Sequence, residues 1–448
     1  MAAAPAARRR NDHLAALQSH CSQLAHRADR GRAGSHGGLC NAPCVDPAGL
    51  SERADVRRAA SENSLVGGCL AERNREIRRA RRHPLTSFSH RVRTMKFALI
   101  GPMQSGKSTL FSAITGQPYD TGHAPAERLA SVPVPDKRLD YLAEVYKPKK
   151  YTPAHLEFLD IPGFSLADAG GVAEFRKAMQ SVRKCDGIVA VVRGYESPNV
   201  ASYRGRVDPR ADVDELHAEL IFADLEQVTN RIEKLEKSVQ KPTKTRDAEL
   251  RELAMMKRVR EALESESPVS SAIHNDEERG IAASFGFLTL KPVIVVVNVG
   301  EAEVGNPPPF EHPHARATIA LAAEIEMEVS QLEPADRAAF LADLGIAEPA
   351  QARLIRACYD AVGLISFLTC GEDEVRAWTI TKGTTAVDAA GKIHSDIQRG
   401  FIRAETVSYA DFEAHKDMKG VKAANKVRLE PKHYVVLDGD IINFRFNV

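Results

Sequence analysis

Residues 95–111, MKFALIGPMQSGKSTLF, constrain this chain more than any other stretch. Residues 97–100 are a short apolar run of strand type, and residues 109–115 carry helical spacing. Between them Gly101, Gly106, Lys107 and Ser108 fit G-x-x-x-x-G-K-[ST], the phosphate-binding loop. The spacing dictates the chemistry. Glycines let backbone N–H groups curl around an anion with no Cβ in the way. The helix opening near Lys107 adds the positive end of its dipole. The Lys107 ammonium reaches β- and γ-phosphates, and the Ser108 hydroxyl is placed to ligate Mg2+. The expected nucleotide cradle is Gly101 with Gln104, Ser105, Gly106, Lys107, Ser108 and Thr109.

Composition sets the bounds. A chain of 448 residues has room for two to three domains. Hydrophobic content of 43% with 27% charged residues is that of a globular protein in water. The longest apolar runs, 188–192 and 293–297, fall far short of the ~20 residues of a membrane span. They suit buried parallel strands instead. Seven scattered cysteines argue against a disulfide framework and for a reducing, cytoplasmic setting.

The net charge of +1 hides an asymmetry. Residues 1–94 hold 17 Arg, no Lys and 8 acidic residues, a net of +9; the remainder, 44 basic and 52 acidic, nets −8. The Arg-rich segment has no sustained period and reads as a disordered extension, with Met95 as the expected start of the functional chain. A basic arm for nucleic acid and an organellar transit peptide are the alternatives. Cys40 and Cys44, with His36 nearby, lack the second ligand pair that zinc requires.

After the loop helix come a loop at 116–128, an expected edge strand at 131–135 and a short helix at 137–147. Thr121 is the one threonine available in that loop to complete a Mg2+ shell. Residues 155–163, HLEFLDIPG, form the second nucleotide motif. An apolar strand delivers Asp160 to the metal side, and Gly163 can offer its N–H to a γ-phosphate, which is the D-x-x-G pattern. Lys107, Asp160 and Gly163 are thus the expected catalytic residues, with Ser108 and Asp160 on the metal. Phe164 stands where many GTPases carry the glutamine that orients the attacking water, a task a phenyl ring cannot perform. Gly170 and Gly171 are expected to loosen the following loop.

Beyond the buried run at 187–192 the pattern changes. Leu216, Ile221, Leu225, Val228, Ile232, Leu235 and Val239 recur at mostly 3-4 spacing with charges on the other face. Pro242 breaks this helix, and a second runs over Arg246–Glu264. The pair reads as an antiparallel helical hairpin inserted at 213–280, between nucleotide-domain segments 95–212 and 281–363. Such an arm adds little to its host's core, which favours partner contact as its role. Residues 290–298 return to the sheet. The end Asn298-Val299-Gly300-Glu301 sits where guanine-binding domains carry N-K-x-D. Asn298, Val299 and Glu301 are the expected base-side residues. Glu301 is longer than Asp, so guanine selectivity should weaken. A last strand is expected at 318–323, its following loop near the base, with helices at 331–344 and 351–361.

From residue 364 the pattern is strands around one helix. Strands are expected at 375–380, 405–409, 434–437 and 441–446, a helix at 384–399, and a hairpin turn at Asp438-Gly439. The order suggests a small β-grasp domain over 364–448. Lys419, Lys422 and Lys426 are expected on one helical face, which reads as a solvated face or a phosphate contact. The fold class expected is therefore α/β: a P-loop domain, an inserted helical hairpin and a β-grasp module.

Residues 95–448 resemble the Obg-like ATPase (YchF) family. The resemblance rests on 374–380 (EVRAWTI), 382–385 (KGTT), 400–405 (GFIRAE), 438–440 (DGD) and 444–448 (FRFNV), with 132–136 (VPVPD), 147–149 (KPK) and Asn298-x-x-Glu301. It implies a C-terminal TGS domain, a coiled-coil insertion, ATP hydrolysis often in preference to GTP, and association with ribosomes. It also implies that a hydrophobic residue at Phe164 is in keeping. This chain departs from the family pattern at Gln104, at Ala124 in the first switch, at 165–170 in the second, and at Ser202, where a loop histidine is expected. Together these give an expectation of slow, Mg2+-dependent hydrolysis of ATP, with GTP as a second substrate, in a switch that meets ribosome or RNA through the hairpin and the TGS domain. The alternatives are a ribosome- or RNA-binding module without turnover and a GTP-selective Obg relative.

Overall fold

The computed structural model describes residues 94–448 apart from 118–126, 167–168, 199, 305, 345, 347 and 448. The expectations for residues 1–93, including His36, Cys40 and Cys44, and those for Thr121 and Ala124, lie outside the described residues.

The apolar run at 97–100 becomes β1 (Lys96–Ile100), which feeds the loop and α1 (Lys107–Thr115). β2 (Arg128–Pro133), α2 (Lys137–Tyr146), β3 (Lys150–Thr152) and β4 (His155–Asp160) follow. Then come α3 (Ala169–Val182), β5 (Gly187–Arg193), the long α4 (Pro209–Ser238), α5 (Arg246–Glu264) and α6 (Asp276–Phe285). β6 (Val293–Asn298), β7 (Ala317–Leu321), α7 (Ala323–Gln331), α8 (Pro334–Asp343) and α9 (Ala350–Ala361) complete the nucleotide half. The C-terminal part holds β8 (Leu364–Thr369), β9 (Glu374–Thr381), α10 (Ala386–Ile393), α11 (Ser395–Arg399), β10 (Phe401–Val407), α12 (Tyr409–His415), α13 (Met418–Ala423), β11 (Arg428–Glu430) and β12 (Ile441–Phe446).

The first sheet runs β2-β4-β1-β5-β6-β7. All its pairs are parallel except β2 with β4. Strands buried on both faces need unbroken apolar runs, and β1 and β5 have them. Alternate side chains sort to opposite layers. Leu99, Val191 and Val296 pack with Leu110 and Phe111 of α1, while Ile100, Val192 and Val297 pack with Phe175 of α3 and Leu216 and Leu220 of α4. The strand order reverses at β1 and β5, which places a ligand crevice at their C-terminal ends.

Asp208 caps α4 by accepting from the Ala211 N–H at 3.0 Å, and Pro209 occupies the first turn. The helix then changes partners. Val213, Leu216, Leu220 and Ala223 lie on the sheet, whereas Val228, Ile232 and Leu235 meet Leu253, Met256, Val259 and Leu263 in a separate core. Residue 213 therefore falls inside this helix, and the arm leaves the sheet at Asp224. That carboxylate is fully buried and accepts from Arg183 Nη1 (2.6 Å), the Leu288 and Thr289 N–H groups (3.1 and 2.9 Å) and Thr289 Oγ1 (2.8 Å). A charge so buried persists only when paired and hydrogen-bonded.

The second sheet runs β11-β10-β12-β8-β9-β3. β8 and β9 are antiparallel, β10 pairs antiparallel with β12, and β12 meets β8 in parallel at Ile441 and Leu368. Ala386, Ala389 and Ala390 of α10 pack on Phe367, Ile380 and Phe444 of this sheet, the β-grasp arrangement. β3, from the nucleotide half, adds to the far edge beside β9, with Tyr151 opposite Val375.

Several local expectations change. Residues 434–437 are not a strand: Val435 makes an isolated bridge to Thr385, and Leu437 N–H is taken by the Asp440 carboxylate at 2.9 Å. The Asp438-Gly439 turn exists, with Gly439 at φ +82°, but joins no strand pair. The helix expected at 384–399 breaks at His394, whose extended backbone and ring nitrogen cap α11. The strand expected at 405–409 is β10, ending at Val407 where Ser408 caps α12. The three lysines share no helical face, because α13 ends at Ala423 and Lys426 pairs with Asp411 at 3.3 Å.

Candidate nucleotide site

The loop from Gly101 to Gly106 takes a curled backbone, with Gln104 at φ +63° and Gly106 at φ +86°. Left-handed residues turn successive N–H groups to one side, which makes an anion nest. Gly106 is required twice over, since a Cβ there would lie 2.0 Å from Asn298 Nδ2. At Gly101 a Cβ would meet Val191 O at 2.3 Å. Ser105 is buried, and its hydroxyl has no hydrogen-bond partner among the described residues, so the cradle holds a spare donor. Ser108 and Thr109 follow in the first turn of α1.

Lys107 Nζ donates to Asp160 Oδ1 at 2.7 Å, and both side chains are buried. Burial pulls the Lys107 ammonium below its ordinary pKa, and Asp160 opposes that pull. The other carboxylate oxygen accepts from Arg128, at 2.7 Å from Nη2 and 3.2 Å from Nε. Sequence reasoning missed Arg128. β2 begins at Arg128, three residues before the expected edge strand, and its antiparallel register puts Arg128 opposite Asp160. The guanidinium also covers the Phe111 ring at 4.7 Å. The Ser108 hydroxyl and the Asp160 side-chain oxygens are hard oxygen donors on neighbouring elements, a donor set that fits Mg2+.

Gly163 lies against the loop: a Cβ on it would sit 3.2 Å from the Met103 Cα. Met103 N–H donates to Phe164 O at 3.0 Å, so the two nucleotide motifs are joined through backbone. The Phe164 ring turns away into the core, with its centroid 4.5 Å from that of Phe175. Gly170 and Gly171 do not loosen a loop. Both sit in the first turn of α3, and Gly171 admits the Ser165 carbonyl, which a Cβ would meet at 1.9 Å.

On the base side, Asn298 ends β6 and is buried. Its Nδ2 donates to Ser105 O at 3.1 Å and its Oδ1 accepts from the Ala323 N–H at 2.9 Å. Val299 is buried in the sheet cluster, and Glu301 is exposed in a one-turn helix. The last strand stops at Leu321 and Ala323 already begins α7, so helix rather than loop follows Ala323. Arg193, at the end of β5 opposite Asn298, was also missed. It is buried, donates to the carbonyls of Tyr195 (2.8 Å), Val200 and Ala201 (3.1 Å each), and keeps Nη2 unpartnered among the described residues. A charge closing an otherwise apolar run is the signal that marks it.

A curled glycine loop on a helix start, a buried lysine, and a carboxylate one strand away define a P-loop nucleoside triphosphatase of the G-domain type. Comparison with known proteins narrows this. The family model described as "50S ribosome-binding GTPase" matches residues 96–239, and the YchF-type GTPase C-terminal model, itself described as a protein of unknown function, matches 364–447. "Ribosome-binding ATPase YchF" of Bacillus subtilis is 40% identical over 363 residues, spanning 78% of this chain and 98% of the relative. "Obg-like ATPase 1" of Gallus gallus is 33% identical, spanning 79% and 93%. The solved YchF GTPase of Schizosaccharomyces pombe superposes with a TM-score of 0.66 at 30% identity, spanning 80% of this chain and 99% of that one. The chain belongs to the YchF family of Obg-like ATPases.

Proposed function

We propose that this protein binds ATP with Mg2+ on Gly101 and residues 104–109, hydrolyses it slowly, and uses the bound nucleotide to control association with the ribosome in the cytoplasm. Its relatives carry the name "ribosome-binding ATPase", which supports that partner. The hairpin and the C-terminal β-grasp module are the surfaces proposed to meet it. Lys107 neutralises phosphate charge, Gly163 offers its N–H, and Ser108 and Asp160 would hold the metal. Bound Mg2+ would supply neutralisation of charge on the β- and γ-oxygens.

The observation that carries slow turnover is Phe164. Its side chain is packed against Phe175, so the position that orients water in many GTPases offers no polar group. Groups of that kind supply ~10³–10⁵ in rate. Adenine over guanine is supported by the exposed Glu301, which leaves guanine without a fixed carboxylate. Competition of ATP and GTP for one site, followed by single-turnover phosphate release, tests the reading. Equal affinity of the wild type and Lys107→Ala for both nucleotides would remove it. A binding module without turnover is the second reading, favoured by the Met103–Phe164 backbone bond, and it predicts no phosphate release in the single-turnover arm.

A further inference from the structure

Leu166 lies three residues beyond Gly163 in the second switch, and both of its backbone groups are held by side chains. Its N–H donates to Tyr203 Oη at 3.1 Å, and its carbonyl accepts from Arg204 Nη2 at 2.8 Å. Neither Tyr203 nor Arg204 belongs to the nucleotide cradle. The same two side chains converge on one carboxylate: Tyr203 Oη donates to Glu215 Oε2 at 3.4 Å, and Arg204 Nη2 pairs with Glu215 Oε1. Glu215 sits on the second turn of α4, which runs unbroken for 30 residues into the hairpin.

The clamp is held in an unfavourable backbone. Arg204 has φ +53°, followed by Gly205 at φ +67°. A left-handed conformation is unfavourable for a non-glycine residue, and such outliers collect at switch regions. The geometry explains what the strain achieves here. This turn brings the phenol and the guanidinium of adjacent residues to the two backbone groups of one residue. Leu166 also buries its side chain in the cluster that receives Leu216 of α4, so the same displacement is felt through packing.

We infer that Tyr203 and Arg204 are positioning residues that read the second-switch backbone at Leu166 and pass its nucleotide-dependent position to the hairpin through Glu215. The inference rests on the nucleotide-switch reading above. Gly163 and Leu166 lie on one short segment, so movement of the Gly163 N–H toward a γ-phosphate must pull on both clamp bonds. α4 is then biased at its base, and its far half carries the bias outward. This makes the arm's surface responsive to the phosphate state without any contact between arm and nucleotide.

Hydrogen–deuterium exchange of the full chain, with Mg2+ and either ADP or a non-hydrolysable ATP analogue, tests this. In the wild type, exchange should differ between the two nucleotides both after Gly163 and along residues 225–238. In Tyr203→Phe and in Arg204→Gly, whose backbone suits φ +53°, the difference after Gly163 should remain while that along 225–238 falls at least threefold. Glu215→Gln should behave likewise. Nucleotide affinity should stay within twofold in all three, since none touches the cradle. If the far half of α4 keeps its full difference in these variants, or shows none in wild type that binds both nucleotides, the inference is overturned. Failure of the wild type to bind either nucleotide would instead overturn the switch reading, and this inference with it. Tyr203→Phe is isosteric, so the test survives should Arg204→Gly fail to fold.

Discussion

Asn298 Nδ2 reaches across 193 positions of sequence to hold the carbonyl of Ser105 at 3.1 Å. With its other end on the Ala323 N–H, the one amide ties the phosphate loop, β6 and the start of α7 into a single wall. The asparagine expected to frame a base thus also props the loop that would hold the phosphates.

Asn298→Ala should weaken nucleotide binding although the side chain touches no phosphate. It leaves a buried carbonyl and a buried N–H unpaired, at about 1–3 kcal/mol each. Titration with a fluorescent ATP analogue should show a loss of ~10- to 100-fold, with a lower Tm in the nucleotide-free protein. An affinity unchanged from wild type would mean that the loop does not depend on this prop.

Gly106→Ala should be more severe than its size suggests. The added methyl meets Asn298 Nδ2 and the backbone stands at φ +86°. Strain of ~1–2 kcal/mol adds to a broken tether. Binding of ATP and GTP should be lost together, because the damage is to the shared loop and not to the base pocket. Isothermal calorimetry with both nucleotides distinguishes this from a selective effect.

Lys107→Ala should abolish tight nucleotide binding yet leave a folded protein. Asp160 would keep Arg128 as its partner at 2.7 Å. Adding Arg128→Ala removes the second cation and leaves a buried carboxylate alone, a change worth about 3–5 kcal/mol. Chemical denaturation should therefore show a small loss for the single variant and a large one for the pair. Similar losses for both would argue that Arg128 contributes little.

Acid should loosen the base of the hairpin. His217 of α4 stacks on His314 at 3.6 Å, with His312 and Asp214 adjoining. Burial, then the neighbouring imidazoles, depress the His217 pKa to about 4, below its ordinary value near 6.5. The folded state thus keeps His217 neutral while the unfolded chain protonates below 6.5. Stability is full above that pH and is lost as pH falls toward 4. Between pH 7 and 5 the loss should approach about 2 kcal/mol. His217→Gln should flatten that part of a stability–pH curve measured by denaturant titration.

Arg138→Ala should free the C-terminal module. Arg138 donates at 2.9 Å to Asp136, which caps its own helix, and at 2.7 Å to Asp438 in the Gly439 turn. Both carboxylates hold Arg138 above the ordinary guanidinium range. Its removal should cost about 1–3 kcal/mol and raise proteolytic cleavage around residue 363. Identical digestion patterns for the two proteins would show that the β3–β9 pairing alone suffices.

Features encoded by neighbours in sequence were the legible ones. The cradle, the 155–163 strand and the hairpin each declare themselves through spacing of a few residues, because glycine, lysine and apolar periodicity act locally. What pairing decides was hidden. Arg128 gains its role from the β2–β4 register, and β3 from an edge strand more than two hundred residues later. Residues 434–437 have strand-like composition, yet the Asp440 carboxylate competes successfully for the Leu437 N–H. Gly171 looked like a loosening device, whereas close approach of the Ser165 carbonyl is what excludes a side chain there.

The β3–β9 pairing also sets a timetable. Lys149 and Asp373, which flank that pairing, lie 224 residues apart. At the usual ~5–20 residues per second, β3 is synthesised roughly 10–45 s before its partner. For that interval the first-made half carries an unpaired strand, and the C-terminal sheet cannot be completed until β9 is made. A nascent chain stalled short of residue 374 should accordingly offer β3 to proteases, and release of the full chain should close it.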